Sequence, residues 1–453
     1  MSPLPTFGEA LRVWAYIGCV NFGGPAGQIA LMHKLLVEEK KWISDARYFH
    51  ALNYCMLLPG PEAQQLATYV GWLMHGVRGG LAAGLLFILP GAAVMLALSI
   101  LYVNYADLAV VNAIFYGVKA AVLAIVIEAI LRIANRAFTG PAMIWIAAAA
   151  FIALFFFAVP FPLVVLAAAI AGVIGANYAP GQFQSKGHAA QSGQAADRYA
   201  VDEAFARGEM GHTQATGSRT ARTVLLWLAI WLAPVVAIAL ALGPESVFTK
   251  LATFFSTMSV VTFGGAYAVL AYVAQEAVAT YNWLTAPEML DGLALAETTP
   301  GPLILVLQHV GFLAGYRTGG MLQGIIGAAI TLWVTFAPSF LWIFAGAPYA
   351  ERVRENRTAS AALAAITAAV VGVILNLAIW FALHVIFARV ETRDWGPVHL
   401  EVPDITTLDP IALAIAAGAL IALVRFKMPV VWLLAACAAT GLAVRAVSAA
   451  SAA

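Results

Sequence analysis

The stretch LPGPEAQQLATY at residues 58–69 interrupts a chain that is otherwise strongly apolar, and a related stretch, ETTPGPL, stands at residues 297–303. Proline and glycine break helices, and backbone groups released at membrane depth are tolerated only where protein or a watery cavity satisfies them. The two Pro-Gly-Pro motifs therefore predict two equivalent irregular sites inside a membrane protein.

The composition around these motifs belongs to a bilayer protein. Of 453 residues, 62% are hydrophobic and only 10% are charged, and the mean hydropathy is +0.87. Apolar stretches long enough to cross a membrane recur. They are residues 81–103, 110–131, 143–174, 224–242, 320–345 and 359–387. We predict an all-α polytopic membrane protein with about 10 to 13 membrane segments, some of them broken helices.

Several other classes of protein are disfavoured. The net charge of +1 and the lack of a basic run interleaved with aromatic residues exclude nucleic acid as an expected partner. The first ten residues carry no basic cluster ahead of an apolar core, so we expect no cleaved secretory signal. The sequence lacks the zinc-protease, nucleophile-elbow and phosphate-loop motifs. We therefore predict neither an enzyme, nor a cofactor, nor a metal site.

The Pro-Gly-Pro motifs belong to a longer internal repeat. Short motifs recur in the same order at offsets of 240 to 248 residues, which is the signature of a tandem repeat. The matching pairs are 22–24 with 263–265, Trp42 with Trp283, 59–61 with 300–302, Gly71, Gly79, Gly80 and Gly84 with Gly311, Gly319, Gly320 and Gly324, and 120–122 with 368–370.

The repeat divides the chain into three parts. Residues 177–222 are rich in Gly, Gln, Ser, Ala and His, which is typical of a flexible linker. We predict a first repeat at 1–176, a polar linker loop at 177–222 and a second repeat at 223–453.

Positive charge has swapped sides between the repeats. Residues 33–50 hold four Lys and Arg, whereas their counterpart, 274–291, holds none. Residues 102–110 hold none, whereas 350–358 hold three arginines. Because short cytoplasmic loops retain Lys and Arg, the swap predicts an inverted repeat, an arrangement found in transporters. A simple count of spans gives conflicting parities, so the exact topology stays open.

Both repeats contain two breaks, and these predict the substrate site. A helix that starts inside the membrane directs free N–H groups and partial positive charge at whatever precedes it, which suits an anion. The alternative is that these motifs only allow close helix packing or kinks. Our candidate substrate-binding residues are Asn21, Phe22, Gly23, Gly24, Pro25, Gln28, Pro59, Gly60, Pro61, Gln64, Gln65, Thr68, Tyr69, Lys119, Thr262, Gly264, Gly265, Thr298, Thr299, Pro300, Gly301, Pro302 and Gln308.

Ionisable residues near the breaks predict a second role. Charges in apolar stretches are costly and mark functional sites by default. We assign proton coupling or gating to Glu62, Glu297 and His309, and we regard Lys119 as the natural countercharge for an anion. The alternatives are interhelical pairs or solvated helix ends for the glutamates and snorkelling to the interface for the lysine.

At these motifs the sequence resembles the chromate ion transporter family in its long, two-domain form. The resemblance covers nearly the whole chain except the linker and about the last 50 residues. It is carried by NFGGPAGQ at 21–28, LPGPEAQQLATY at 58–69, HGVRGG at 75–80, TFGGAY at 262–267, ETTPGPL at 297–303 and WVTFAP at 333–338. It implies a chromate efflux carrier with oppositely oriented halves that depends on the proton-motive force.

Taken together, the residues and the resemblance predict a secondary transporter that exports chromate across the bacterial inner membrane and confers chromate resistance. A carrier of sulfate or another tetrahedral oxyanion, and an anion channel, are the alternatives. The expected partners are chromate or a related oxyanion, protons and the lipid bilayer. The oligomeric state stays open, with a homodimer among the alternatives.

Overall fold

The protein is described by a computed structural model that covers residues 4–22, 24–178, 182–183, 199–214, 216–263, 266–350, 357–396 and 398–452. These residues are mostly helical. In chain order the helices are α1 (Phe7–Val20), α2 (Gly24–His33), α3 (Asp45–Cys55), α4 (Glu62–Tyr105), α5 (Ala109–Ala137), α6 (Pro141–Phe157), α7 (Phe161–Tyr178), α8 (Ala200–Ala206), α9 (Gly217–Leu242), α10 (Val247–Val261), α11 (Ala266–Gln275), α12 (Ala286–Thr298), α13 (Val306–Gly319), α14 (Met321–Gly346), α15 (Arg357–Ile386), α16 (Pro410–Val424) and α17 (Val430–Ala452).

The prediction of a helical polytopic membrane protein is confirmed. Within the described residues, seven helices are long and apolar enough to cross a bilayer, and four shorter helices are also apolar. Together they fall in the predicted range of about 10 to 13 membrane segments. A two-stranded antiparallel hairpin between α15 and α16 was not predicted. Its strands are β1 (Val390–Trp395) and β2 (Val398–Pro403), with Val390 opposite Pro403.

The chain forms two compact units that do not coincide with the two sequence repeats. Unit 1 comprises Met1–Leu96, Lys186–Ala266 and Thr299–Ser360, and unit 2 comprises Ala97–Ser185, Tyr267–Thr298 and Ala361–Ala453. Each unit therefore contains segments from both repeats.

Unit 1 is built around two helical hairpins that follow the Pro-Gly-Pro motifs. Helix α4 turns sharply at His75 and Gly76, where the backbone is not helical. Its two arms then pack so closely that a Cβ atom at Gly84 would lie 2.4 Å from Oγ1 of Thr68. In the second repeat, Gly320 makes the corresponding turn between α13 and α14 with φ of 85°. The first arm of each hairpin is only about 20 Å long, too short to cross the hydrocarbon core.

Unit 2 is organised around α5. Helices α16 and α17 pack against it, and small residues allow close approach. A Cβ atom at Gly117 would lie 1.9 Å from the Cys437 carbonyl oxygen, and one at Gly441 would lie 2.1 Å from that of Ala113. Helix α12 also packs on α5, which brings the charged residues of both helices together.

The two repeats share unusual local geometry as well as sequence motifs. Helix α2 continues as a π-helix over Lys34–Glu39, and α11 continues as a π-helix over Glu276–Thr280. Each is followed by a left-handed residue, Lys41 with φ of 52° and Asn282 with φ of 51°. Both features are rare, and they recur at repeat-equivalent positions. The internal repeat is thus a repeat of structure.

The described part of the predicted linker is folded rather than flexible. Val201 and Ala204 of α8 are fully buried, and the Val201 N–H donates to the Trp42 carbonyl at 2.9 Å. Asp202 accepts hydrogen bonds from the Arg47 guanidinium and from the Ser44 N–H. Composition alone predicted flexibility because it did not register that this short segment has its own apolar face.

Inversion of the repeats can be tested at the ends of the two π-helices. Glu39 and Thr280 are equivalent in the repeat, and both are exposed. In a chain whose exposed Cys19 is replaced by serine, we expect a membrane-impermeant maleimide to label Glu39→Cys only from the cytoplasm and Thr280→Cys only from the opposite side. Labelling of both from one side would contradict inversion. The buried Cys55 and Cys437 should stay unlabelled in the parent chain.

Candidate functional site

A helix begins at each of the four predicted breaks. In the first repeat these are α2, after the end of α1, and α4, after the end of α3. In the second they are α11, after α10, and the 3₁₀ turn Leu303–Leu305 that leads into α13, after α12. Each break therefore joins the carbonyl end of one helix to the N–H end of the next, the two ends that carry partial charge.

Within unit 1 the breaks of the two repeats bond to each other reciprocally. The Gly60 N–H donates to the Thr262 carbonyl at 2.8 Å, and the Gly301 N–H donates to the Asn21 carbonyl at 3.3 Å. Gly60 is equivalent to Gly301, and Asn21 is equivalent to Thr262, at the offset of 241 residues. A reciprocal exchange of this kind is the pattern that a two-fold axis produces. The reciprocal bonds are consistent with the predicted inverted repeat.

We call these two backbone contacts, Gly60 with Thr262 and Gly301 with Asn21, the crossings. Glycine is required at both of them. Gly60 has φ of 111° and Gly301 has φ of 103°, values that side chains strongly disfavour. A Cβ atom at Gly60 would also lie 2.9 Å from Nε2 of Gln65 and 3.1 Å from Oγ of Ser339. The central glycine of each Pro-Gly-Pro motif therefore lets one backbone reach the other.

Gln28 ties the first break of repeat one to the second break of repeat two. Its side chain is fully buried, and its amide nitrogen donates to the Gly301 carbonyl at 2.6 Å and to the Asn21 carbonyl at 3.1 Å. Asn21, also fully buried, donates through Nδ2 to the Phe87 carbonyl at 3.4 Å. These two amides hold the crossing from the side of α1 and α2.

The glutamines of the other breaks are equally buried. Gln65 donates to the Pro59 carbonyl at 2.7 Å and lies 3.5 Å from Oγ of Ser339. Gln64 donates to Oγ1 of Thr68 at 3.0 Å. In the second repeat, Gln308 donates to the Ala92 carbonyl at 3.1 Å. The predicted polar residues are thus gathered in unit 1.

The oxygens of these amides define the chemistry that remains available. Most of these side-chain amides donate from their nitrogen to a backbone carbonyl, and that hydrogen bond also fixes the position of the amide oxygen. The oxygens are buried and have no hydrogen-bond partner among the described residues. They are Asn21 Oδ1 and the Oε1 atoms of Gln28, Gln64, Gln65 and Gln308. A buried acceptor without a donor is unfavourable, so each of these oxygens suits water or a guest that carries an O–H group.

Other candidates in unit 1 take different positions. Glu62 is the first residue of α4, where a carboxylate favours the helix N-terminus and would compete with a bound anion. His309 is fully buried beside Gln308, and Thr299 is buried in the second Pro-Gly-Pro break. Tyr69 belongs to an aromatic cluster, 5.8 Å between ring centres from both Tyr54 and Trp72. Phe22 is 40% exposed.

The remaining backbone candidates line the breaks themselves. They are Gly24, Pro25, Pro59, Pro61, Pro300 and Pro302. Three predicted site residues, Gly23, Gly264 and Gly265, lie outside the described residues, as do Arg352 and Arg354 of the charge comparison.

Lys119, Glu297 and Thr298 belong to unit 2. Lys119 of α5 forms an ion pair with Asp291 of α12, with 3.0 Å between Nζ and Oδ1. The Tyr102 hydroxyl donates to Oδ2 of the same carboxylate at 2.9 Å. Lys119 is therefore neutralised by the protein itself, so an anion would have to displace Asp291 to use its charge. Thr298 is exposed, and its hydroxyl donates to the Leu295 carbonyl.

Glu297 is buried and bonded within the same unit. Its Oε1 atom accepts a hydrogen bond from the Tyr267 hydroxyl at 2.7 Å. Helix α5 carries Glu128 and Arg132, which pair with each other at 2.9 Å. The α5 and α12 helices thus carry several ionisable groups in an apolar unit, a pattern that marks ion or proton pathways by default.

The sequence reasoning missed Ser339, Asp291, Tyr102 and Tyr267. Asp291 was overlooked because residues 274–291 were treated as a loop, whereas α12 begins at Ala286. The sequence did contain an indication that Asp291 matters, because a carboxylate five residues into a helix of a membrane protein needs a partner.

Comparison with known proteins shows which family this chain is similar to. The family model described as "Chromate transporter" matches residues 8–173 and 249–442. A protein named chromate transport protein from Cupriavidus metallidurans is 27% identical over 381 residues, 84% of each chain. One of the same name from Pseudomonas aeruginosa is 31% identical over 380 residues, 83% of this chain and 80% of that one. A probable chromate transport protein from Synechococcus elongatus is 25% identical over 374 residues, 83% of this chain and 84% of that one. No solved structure matches.

The crossings predict that a side chain at Gly60 or Gly301 destabilises the protein. We expect Gly60→Ala and Gly301→Ala each to lower the free energy of unfolding by about 1–3 kcal/mol, because alanine is strained at positive φ. Gly418→Ala is the matched control: this glycine lies in α16 with nothing within 4 Å of an added Cβ atom, so alanine should be neutral or stabilising. Thermal unfolding of the purified chains measures this. Equal stability of all three variants would contradict the proposed role of the crossings.

Proposed function

Because this chain belongs to the chromate transporter family, we propose that it is a secondary transporter that exports chromate across the bacterial inner membrane and so confers chromate resistance. Two proteins named chromate transport protein align with more than four-fifths of its length. The observation that carries the proposal is the pair of reciprocal crossings in unit 1, where helices from both repeats begin beside buried side-chain amides.

The crossings support binding of a small tetrahedral oxyanion. Helix N-termini supply N–H groups and partial positive charge, which is how proteins bind phosphate and sulfate without a full countercharge. Glycine at 60 and 301 lets the backbone approach a ligand closely. We propose that the break residues of unit 1 bind the oxyanion through backbone N–H groups, and that Gln28, Gln64, Gln65 and Gln308 donate to it when their amide nitrogens leave their present acceptors.

Export agrees with the energetics of the membrane potential. Moving one elementary charge through 100 mV is worth about 2.3 kcal/mol, so a negative interior drives a dianion outward by roughly 4.6 kcal/mol. Proton movement would add a second driving force. For proton coupling or gating we propose Glu62, Glu297 and His309, since each lies beside a Pro-Gly-Pro break or on the helix that follows it.

Sulfate is the main alternative substrate. Chromate and sulfate share charge and shape, so backbone N–H groups distinguish them poorly. An anion channel is the alternative mechanism, and it would conduct without saturation or counterflow. The broken, repeat-related helices favour a carrier, because such pairs surround the substrate in transporters with alternating access.

Uptake of radiolabelled chromate into everted inner-membrane vesicles tests the proposal. We expect saturable accumulation that requires an imposed membrane potential and that is absent from vesicles lacking the protein. Counterflow of internal chromate should accelerate the uptake, which a channel would not show. Lack of accumulation under any driving force would overturn the chromate assignment. Accumulation of sulfate instead of chromate would favour the alternative substrate.

A further inference from the structure

The hairpin of β1 and β2 belongs to the second repeat only. In the first repeat, residues 138–140 are all that separates α5 from the next helix, α6. In the second repeat, residues 387–409 separate α15, the equivalent of α5, from α16, and they contain the hairpin. The repeat therefore folds without a hairpin, and the contacts that the hairpin makes in unit 2 are an addition to one copy.

The hairpin forms one wall of a cavity of about 220 Å³ that lies entirely within unit 2. The other walls come from the C-terminal parts of α6 and α15 and from α11 with the π-helix that follows it. These helices end at Phe157, Ile386 and Thr280. Because apolar helices that cross a bilayer end where hydrocarbon meets water, the cavity lies at that boundary.

Glu401 of β2 gives the cavity a negative charge. Its side chain is 33% exposed, and its Oε2 atom lies 3.9 Å from Nδ1 of His384. The Trp380 indole N–H donates to Oε1 at 3.2 Å. Burial raises the pKa of the Glu401 carboxyl, and His384 and the Trp380 N–H oppose that rise. Within the described part of the chain, no lysine or arginine lies within ion-pair distance of this carboxylate.

The groups beside Glu401 provide further hydrogen-bond acceptors. Nδ1 of His384 lies 2.9 Å from the Trp380 carbonyl, which can only accept, so this nitrogen carries the hydrogen. Nε2 of the neutral ring is then an acceptor. Gln275 and Asn376 also line the cavity, and each has a side-chain oxygen that accepts hydrogen bonds. The chemistry that fits is a positively charged group with several N–H donors.

The rest of the lining determines what carries that charged group. Leu154, Leu377 and Leu383 are apolar, and the rings of Phe155 and Trp380 add surfaces that attract cations. The volume is below the range of about 300–1,000 Å³ that is typical of sites for drug-sized ligands. A small polar head attached to a hydrocarbon body therefore fits better than a large polar molecule.

We propose that this cavity binds a primary ammonium group against Glu401, and that an ethanolamine phospholipid of the membrane carries it. An ammonium has three N–H donors, and the Glu401 carboxylate, Nε2 of His384 and the oxygen of Asn376 are acceptors for them. The acyl chains stay in the bilayer while the headgroup enters at its boundary. Free ethanolamine carries the same ammonium group, so the test separates the two sources. This inference is independent of the proposed substrate.

Native mass spectrometry of the purified full-length chain, stripped of lipid in detergent, counts the lipids that bind. The probes are phosphatidylethanolamine, phosphatidylcholine and phosphatidylglycerol of equal chain length, with ethanolamine as a competitor. We expect phosphatidylethanolamine to bind at least about tenfold more tightly than the other two, since a quaternary ammonium has no N–H donor and a glycerol headgroup has no positive charge. Ethanolamine that displaces the lipid at equal concentration would identify the free amine as the ligand of the same site.

Two variants test the cavity itself. Glu401→Gln keeps an oxygen for the Trp380 N–H and removes the charge, and it should weaken phosphatidylethanolamine binding at least about tenfold. Asn376→Leu removes one acceptor at nearly constant size and should weaken it about two- to tenfold. Glu391→Gln is the matched control on the same hairpin. Glu391 precedes Thr392, which lines the cavity, so it points to the opposite face and should have no effect.

Thermal unfolding provides a second measurement and shows that each variant is folded. A ligand that binds only the folded chain raises its melting temperature, so phosphatidylethanolamine should raise that of the wild type and of Glu391→Gln but not that of Glu401→Gln. Equal affinity for the three lipids would overturn the inference, as would unchanged affinity in folded Glu401→Gln. If Glu401→Gln does not fold, unchanged affinity in Asn376→Leu would overturn it instead. An equal loss in Glu391→Gln would also do so, because the charge of the hairpin rather than the cavity would then attract the lipid.

Discussion

The reciprocal hydrogen bonds between the breaks are the constraint on which unit 1 depends. Each crossing requires a backbone N–H from one repeat to reach a carbonyl at the helix end of the other, at 2.8 Å for Gly60 and 3.3 Å for Gly301. A helix end buried in an apolar environment without such partners would be strongly unfavourable. The crossings therefore join the ends of α1 and α10 to the two Pro-Gly-Pro motifs, and Gln28 bonds to both Asn21 and Gly301.

The two units carry different parts of the chemistry. Unit 1 contains helix N-termini and buried side-chain amides, and helix N-termini suit the binding of an oxyanion. Unit 2 carries buried ionisable residues, with Asp291 paired to Lys119 and Glu297 bonded to Tyr267. The recognition proposed for neutral groups and the coupling proposed for charged groups are physically compatible, because a neutral site can bind and release a dianion without holding a permanent countercharge.

Features found in both repeats reflect their common fold, and features found in only one repeat indicate function. The π-helices, the left-handed Lys41 and Asn282, and the glycine crossings occur in both copies. The buried glutamines Gln28 and Gln65 and the Lys119–Asp291 pair occur in one copy only. Features that both copies need for folding are retained twice, whereas a single substrate needs only one set of side chains.

The membrane class, the repeat, the four breaks and most of the polar residues beside them could be predicted from the sequence, because hydropathy and helix-breaking residues act locally. Which breaks meet could be seen only in the fold, since Gly60 and Thr262 are far apart in the chain. The fold also showed that Lys119 already has a partner in Asp291 and that α8 of the linker is packed. Such long-range pairings depend on how helices pack, and no local pattern of residues specifies them.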